Sequence, residues 1–510
     1  MKKLLALLLC LVLAMPALAA LADEAPVKMH WVLTTNGNYD MTTEESMTVI
    51  KAMAAKCNID LEIDWISTEG SKEKISAFLA SNSLPDVFSP CVAIESLVEE
   101  GAVVALDDYL DQIPNYTRFL DDSQQPFVRN AADGQMYAIY ALTQFQPAYT
   151  MVVRKDWLNK LNMEEPNTID EWITFWRAVK ENDVNGNGDP NDEVPFVDPN
   201  TFTGSYRGCS LMMLYGIQSN GVWYVEDGAY SLVYSHPRYG EYLELMRQLY
   251  AEELIDQEVF THTATECATL FNSEIAASGY QWISRPQNTT KTLHEANPDA
   301  LLIPTLPIQG PDGIRIIPSR ALTNTQYDVV ISYETETNGK LEKILEFINF
   351  LYSDEGIEMY NYGLEGVHHQ VVDGKIVLNA DIVADSTFTA ARHQGLINQF
   401  WPGVWTKDAY NTIMRKGLAF EEMEIWDQQM VKGTEINWDY YFTMPPTLAT
   451  DAWAQYNADV MGKIDELRAQ CITGKISVDD FFAGYEGLMG YGLSEILEEG
   501  QAAYDAIMGK

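Results

Sequence analysis

The chain has 510 residues with 47% hydrophobic and 21% charged side chains, and a net charge of −41 that becomes −43 once Lys2 and Lys3 are removed with the leader read below. That field repels nucleic acid and anionic lipid, so no nucleic-acid partner is expected. After the leader, five cysteines remain, at 57, 91, 209, 267 and 471. They are too few and too scattered for a disulfide framework or a C-x-x-C site, though one unspecified pair could bridge.

The first residues, MKKLLALLLCLVLAMPALAALADE, place two lysines before an apolar run from Leu4 to Met15, then Pro16 and small residues. This is the pattern of a secretory signal peptide over 1–22, with Ala20-Leu21-Ala22 before the cut and Ala17-Leu18-Ala19 as a second option. The run is too short for a good membrane span. Cys10 lies inside it and not at the cleavage point, so no lipobox cysteine is present. The expected product is exported and soluble, periplasmic or extracellular.

Length alone suggests two or three domains. "VKMHWVLTT" (27–35) reads as a buried strand, and Thr42-x-x-Glu45 as a capping box before a helix reaching about Lys56. "IDLEIDWIS" (59–67) alternates like a strand. A helix over "KISAFLAS", a short strand at "PDVFS" (85–89) and a helix over about 93–100 follow. A β-α-β-α-β start predicts a parallel sheet wrapped by helices. "AYTMVVRKDWLNKL" (148–161) gives another strand and helix. Thr168-x-x-Glu171 is a second capping box, and Ile169, Trp172, Ile173, Trp176 and Val179 recur at helical spacing.

That helix runs into "VKENDVNGNGDPNDEVPF" (179–196). With Asp183 as position one, Asn185 is three, Asn187 five, Gly188 six and Asp189 seven. Oxygens at one, three and five with glycine at six follow the order of an EF-hand loop, which gathers hard oxygen ligands around calcium. Position twelve, normally a bidentate glutamate, is Val194, so the last ligand must be Asp192 or Glu193. The six candidates are Asp183, Asn185, Asn187, Asp189, Asp192 and Glu193, around a structural Ca2+. An unmetallated turn rich in Asn and Gly is the alternative.

Farther on, helices are expected over about 237–254 and 341–353, the latter with Leu341, Ile344, Leu345, Ile348 and Leu351 on one face, and over most of the last sixty residues. Repeats and low-complexity linkers are missing from the sequence. So are H-E-x-x-H, G-x-S-x-G and a phosphate-binding loop. His368-His369 is the single adjacent histidine pair. In an extended segment such neighbours face opposite sides and do not chelate one metal.

Several stretches together resemble one family. They are "SNSLPDVFS", "VVALDDYLDQIPNY", "DGQMYAIY", "VVRKDWLNKLNMEEPNTIDEW", "LYAEELIDQEVF", "YGLEGVHHQVVDG" and the tail "CITGKISVDDFFAGYEGLMGYGLSEILEEGQAAYD". In this order the chain resembles the extracellular solute-binding proteins of family 1, the carbohydrate type that serves ABC importers, in the branch that includes alginate-oligosaccharide-binding proteins. The resemblance implies an α/β, two-lobed, periplasmic-binding-protein-like (type II) fold with a ligand cleft between the lobes and a mostly helical C-terminal region. Carried over, residues 23–145 plus 325–367 form one lobe, and 146–324 plus 368–510 the other. Some members of the family bind calcium at a loop like 183–193, although this sequence has one extra residue before Asp192.

The implied function is capture of an oligosaccharide by a monomer and its delivery to the permease subunits of an ABC importer, without catalysis. The alternatives are a glycoside hydrolase, which needs two carboxylates across a sugar bond, and a ligand sensor for a membrane receptor. Twelve Trp and 27 Tyr suit sugar, whose C–H faces lie flat on aromatic rings. The candidate ligand contacts, chosen where loops should meet the cleft, are Asn36, Tyr149, Trp282, Glu365, His368, Trp401 and Trp405. The last two flank Pro402-Gly403, a turn that can expose rings.

Overall fold

The computed structural model describes residues 25–35, 40–120, 128–130, 133–140, 142–143, 149–198, 209–282, 285–318, 328–383, 389–397, 401–414, 428, 440–442, 445, 447–448, 450 and 451–508. The signal segment 1–22 and Asn36 lie outside them. Among the described residues the polypeptide builds two large hydrophobic cores, each with its own sheet, and a small third cluster around Val152, Cys267 and Leu302; it is an α/β protein of the two-lobed type II class.

The first sheet has five strands in the order Ile59–Ser67, Val27–Thr35, Val87–Phe88, Val329–Ile331, Ala138–Ile139. The first three are parallel; Val329–Ile331 runs antiparallel to both neighbours. Val27–Thr35 is interior, paired on both sides, and carries fully buried Trp31, Val32 and Leu33, whereas Ile59–Ser67 at the edge alternates buried and exposed residues. This alternation is what an edge strand with one solvated face requires. Helix Leu341–Leu351 lays Leu341, Ile344, Leu345, Phe347, Ile348 and Leu351 on this core, with Phe347 5.5 Å from Trp31.

The second core surrounds an antiparallel sheet, Leu302–Thr305, Tyr149–Arg154, Ser278–Trp282. Helix Ile169–Lys180 starts with the expected reciprocal cap between Thr168 and Glu171 and buries Trp172, Phe175, Trp176 and Val179. The Trp176 indole N–H donates to Ser278 Oγ (2.8 Å), which donates to the Pro195 carbonyl (2.7 Å). One tryptophan therefore ties the helix, the sheet and the segment after the 183–193 loop together. Helices Asp451–Ile472, Val478–Gly487 and Leu493–Ile507 complete this core.

Two expectations need correction. Leu378, Ile382, Val383, Ala391, Leu396, Ile397, Val404 and Ile413 pack into the first core, so the stretch 378–413 does not belong with the second lobe as the resemblance implied. Close contact explains it: a Cβ on Gly395 (φ +84°) would stand 2.6 Å from the Ser46 carbonyl oxygen of helix Glu44–Lys56. Tyr140, Val329 and Ile413 belong to the first core, and Met151, Ile317 and Phe442 to the second. Second, the cap of helix Glu44–Lys56 is Thr43, whose Oγ1 accepts from the Ser46 N–H, while Thr42 turns its hydroxyl to Asp40.

Candidate functional site

In a parallel sheet the strands' carboxyl ends expose unpaired backbone and loops, and ligands collect there. In the first lobe that edge holds a cavity of about 420 Å³ lined by Asp40, Thr43, Glu45, Asp381, His393 and Gln394. Asp40 follows the first strand by five residues, and Thr43 and Glu45 open the helix that comes next. Asp381 and Gln394 arrive from 378–413, and Gln394 Nε2 donates to Asp381 Oδ2 (3.0 Å). Hydrogen bonds from Thr42 hold the Asp40 carboxyl below its ordinary range. The lining is acidic and rich in hydrogen-bonding groups, a chemistry matched to hydroxyls and mismatched to anions. None of these six was singled out as a site residue in the sequence. The position of Asp40 after the first buried strand was the available signal; the approach of Asp381 and His393 is tertiary and left none.

In the second lobe, Tyr149 and Trp282 are register partners at one end of the antiparallel pair. The other candidates are placed differently. Trp401 is only 1% exposed and packs in the first core with its ring 6.4 Å from Trp65; Trp405 is buried in the same core, with the Arg392 guanidinium 5.9 Å from its ring. The Pro402-Gly403 turn does not present these indoles to solvent. His368 is buried too. Its Nδ1 accepts the Leu364 N–H (2.9 Å), and burial holds the imidazole below its ordinary pKa, keeping it neutral. It acts as a packing histidine in a turn. Glu365 is exposed, beside the hairpin His369–Val372 and Lys375–Leu378.

The 183–193 loop closes on itself. Asp183 Oδ1 accepts the N–H groups of Gly186 (2.7 Å) and Asn187 (3.1 Å), and its Oδ2 that of Gly188 (2.9 Å). Asn185 Nδ2 donates to Asp192 Oδ1 (3.2 Å) and Asn187 Nδ2 to Asp192 Oδ2 (2.6 Å). Asp189 is exposed, and its Oδ1 accepts the Asn191 N–H (3.1 Å). Glu193 is 5% exposed; its Oε1 accepts the Asn185 N–H (3.2 Å), and its Oε2 has no hydrogen-bond partner. Burial pushes this carboxyl up from its ordinary value. A buried carboxylate oxygen without a partner is costly unless a cation or a proton meets it. The oxygen-rich donor set therefore fits a hard divalent cation. The loop is fastened at both ends: Lys160 Nζ donates to the Val184 carbonyl (2.8 Å), and Val194 and Val197 bridge to Ala276 and Gly279.

The family model of bacterial extracellular solute-binding proteins matches residues 42–358. The chain belongs to this family. Among relatives of this solute-binding protein, lipoprotein LipO of Bacillus subtilis is 22% identical over 471 residues, covering 90% of this chain and 88% of LipO. The fructooligosaccharide ABC transporter substrate-binding protein FusA of Streptococcus pneumoniae is 28% identical over 221 residues, 40% of each chain. In three dimensions, FusA in complex with kestose superposes with a TM-score of 0.65 at 19% identity, covering 94% of this chain and 99% of FusA. The alginate-binding protein AlgQ2, solved without calcium ion, gives 0.65 at 22% identity, over 95% and 99% of the two chains. These likenesses extend the two-lobed fold over nearly the whole solute-binding protein. Among the described residues, no helix is long and apolar enough to cross a membrane.

Proposed function

We propose that this solute-binding protein is exported, captures an oligosaccharide between its lobes as a monomer, and delivers it to the permease subunits of an ABC importer without cleaving it. The observation that carries the reading is the polar cavity at the carboxyl edge of the first sheet, in a chain whose family consists of extracellular solute-binding proteins. Its acidic lining suits neutral hydroxyl groups and disfavours an anionic ligand. FusA, solved with kestose, is a relative consistent with sugar as the ligand class. Asp40, Glu45, Asp381 and His393 are assigned to the first lobe's side of the cleft, and Asn36, Tyr149, Trp282 and Glu365 as further contacts. Hinge closure would bring the two sides together.

The loop 183–193 is assigned a structural Ca2+. Asp183, Asn185, Asn187, Asp189 and Glu193 would hold it, with Asp192 bracing the two asparagine amides. Glu193 is preferred over Asp192 because its Oε2 is the buried oxygen lacking a partner. Bound calcium would supply charge neutralisation and no redox chemistry. The AlgQ2 structure without calcium ion and a FusA EF-hand mutant point the same way among neighbours.

The test is a thermal-shift screen of the mature protein against neutral and acidic oligosaccharides. A saturating ligand, at 100 times its dissociation constant, adds about 2.7 kcal/mol to native-state stability. We expect a shift with a neutral oligosaccharide, no new reducing ends after prolonged incubation, and about tenfold weaker binding in Trp282→Ala, on the order of 1.4 kcal/mol. Absence of binding to any glycan, or release of hydrolysis products, would overturn the reading.

A further inference from the structure

Away from the cleft and the 183–193 loop, three side chains of different chemistry converge. Asp256, His262 and Cys267 each bring one ligand atom within 4.8 Å of the other two. They come from one short stretch and are held from both sides. The Asp256 N–H donates to the Phe196 carbonyl (3.0 Å), fixing the segment after helix Tyr239–Ala251. Thr263 and Glu266 then form a reciprocal cap that starts helix Ala264–Asn272, with His262 just before the cap and Cys267 at the end of the first turn. Cys267 is 3% exposed and packs with Phe271, Val152, Val197 and Leu302. Asp256 is 5% exposed, whereas the His262 ring keeps 24% of its surface in solvent.

We propose that Asp256, His262 and Cys267 form a three-ligand site for a zinc-type divalent cation, separate from the oxygen-only loop at 183–193. One sulfur, one imidazole nitrogen and one carboxylate oxygen make the donor set of zinc and its neighbours in the transition series, and a poor set for calcium or magnesium. Zinc holds such ligands at about 2.0–2.3 Å, which places them roughly 3.3–3.8 Å apart. No pair of the three ligand atoms is more than 4.8 Å apart, so the widest closes by at most about 1.5 Å, within reach of side-chain rotation. Without the cation, His262 Nδ1 and Asp256 Oδ2 stand 2.5 Å apart and Asp256 Oδ1 accepts the Glu258 N–H (3.0 Å). The imidazole already faces the carboxylate, and this pair opens by about an ångström to admit the cation.

The electrostatics disfavour a catalytic reading of the same three side chains. Burial and the negative charges of Asp198, Asp256 and Glu266 push the Cys267 thiol up to about 12. Such a thiol is unreactive as a nucleophile, which argues against reading Cys267, His262 and Asp256 as a catalytic triad. A dication reverses this field. It binds the thiolate, the thiol proton leaves to solvent, and the imidazole keeps its one proton on the nitrogen turned away from the metal. The exposed side of His262 leaves the fourth position to water. Since Phe196 and Val197 follow the 183–193 loop, the second cation would fasten the same segment from its other end.

The test uses the mature full chain, reduced, stripped with chelator and titrated with cobalt(II), whose bond to a thiolate gives a charge-transfer absorption in the near ultraviolet. One cobalt per chain should give this band, zinc should displace it, and calcium should not. The band should persist in Asp183→Ala, vanish in Cys267→Ser, and require about tenfold more cobalt or worse in His262→Gln. Should Cys267→Ser fail to fold, His262→Gln, at the partly exposed position, still decides. A folded wild type without the band, a band that survives Cys267→Ser, or one indifferent to His262→Gln would overturn the site.

Discussion

The loop 183–193 and the turn 401–405 are both short, glycine-containing and dense in side chains suited to ligands, yet they spend those side chains in opposite ways. In the loop, polar atoms turn on one another: Asp183 gathers three backbone N–H groups, two asparagine amides meet Asp192, and one oxygen of buried Glu193 has no partner. In the turn, two indoles go into the first core, Trp401 against Trp65, and the strand Val404–Trp405 joins Leu142–Thr143. An Asp or Asn can satisfy its polar atoms within its own few residues. An indole cannot bury itself locally, so the rest of the lobe decides whether it is ligand surface or core.

Removing one residue from each region should separate the two roles. Trp401→Ala takes a large side chain out of a packed core and should cost about 3–5 kcal/mol. That loss, read from urea denaturation, should be the same in chelator and in calcium. Asp183→Ala should cost little in chelator. In saturating calcium it should lack the stabilisation of about 2.7 kcal/mol that the wild type gains at 100 times the dissociation constant. The comparison breaks if Trp401→Ala folds with unchanged stability, or if wild type and Asp183→Ala respond alike to calcium.

Glu193 sharpens the loop's half of the comparison through pH. Its carboxyl is raised above 4.5 by burial. In the cation-free protein the native state therefore holds its proton longer than the unfolded chain does. By linkage, its stabilising contribution is present below 4.5 and is lost as pH rises through the raised value. Glu193→Gln removes that loss. In chelator the variant should have the higher urea midpoint at about pH 7 and match the wild type at about pH 4. With calcium at neutral pH the order should reverse, because the wild type alone gains a charged ligand. Equal midpoints under all three conditions would remove Glu193 from the site.

The same division between local and tertiary information runs through the whole molecule. Strands 27–35 and 59–67 keep the bounds that their hydrophobic patterns predict, because alternation reports directly on sheet faces. The Thr168–Glu171 cap and the convergence of Asp183, Asn185, Asn187 and Asp192 are contacts over a few residues, legible as spacing. The return of 378–413 to the first core rests on Gly395 meeting Ser46 and on Asn361 Nδ2 donating to the Val404 carbonyl (2.8 Å). Nothing near 378 announces either partner. The cavity lining inherits this difficulty, since Asp381 and His393 reach Asp40 only after that return.

Local reading also has a limit of one residue, and the start of helix Glu44–Lys56 measures it. Thr42-x-x-Glu45 and Thr43-x-x-Ser46 are adjacent frames of one signal. The second is used: Thr43 has the extended backbone of a cap, and its Oγ1 accepts the Ser46 N–H (3.1 Å). Thr42 instead closes a turn with Asp40, its hydroxyl donating to Oδ1 (2.6 Å). Ser46 cannot reach back as a glutamate would, so its hydroxyl donates to the Thr43 carbonyl (2.9 Å). The capping-box spacing thus favours Thr42, while the turn at Asp40 delivers Thr43. Thr43→Ala should cost about 1 kcal/mol, the usual value of a lost cap. Thr42→Ala, at an exposed hydroxyl, should fall within about 0.5 kcal/mol of wild type. Because Asp40 and Thr43 both line the cavity, Thr42→Ala should instead show itself in ligand affinity, through a loosened Asp40. Equal stability costs for the two variants, measured by urea denaturation without ligand, would mean that both frames share the cap.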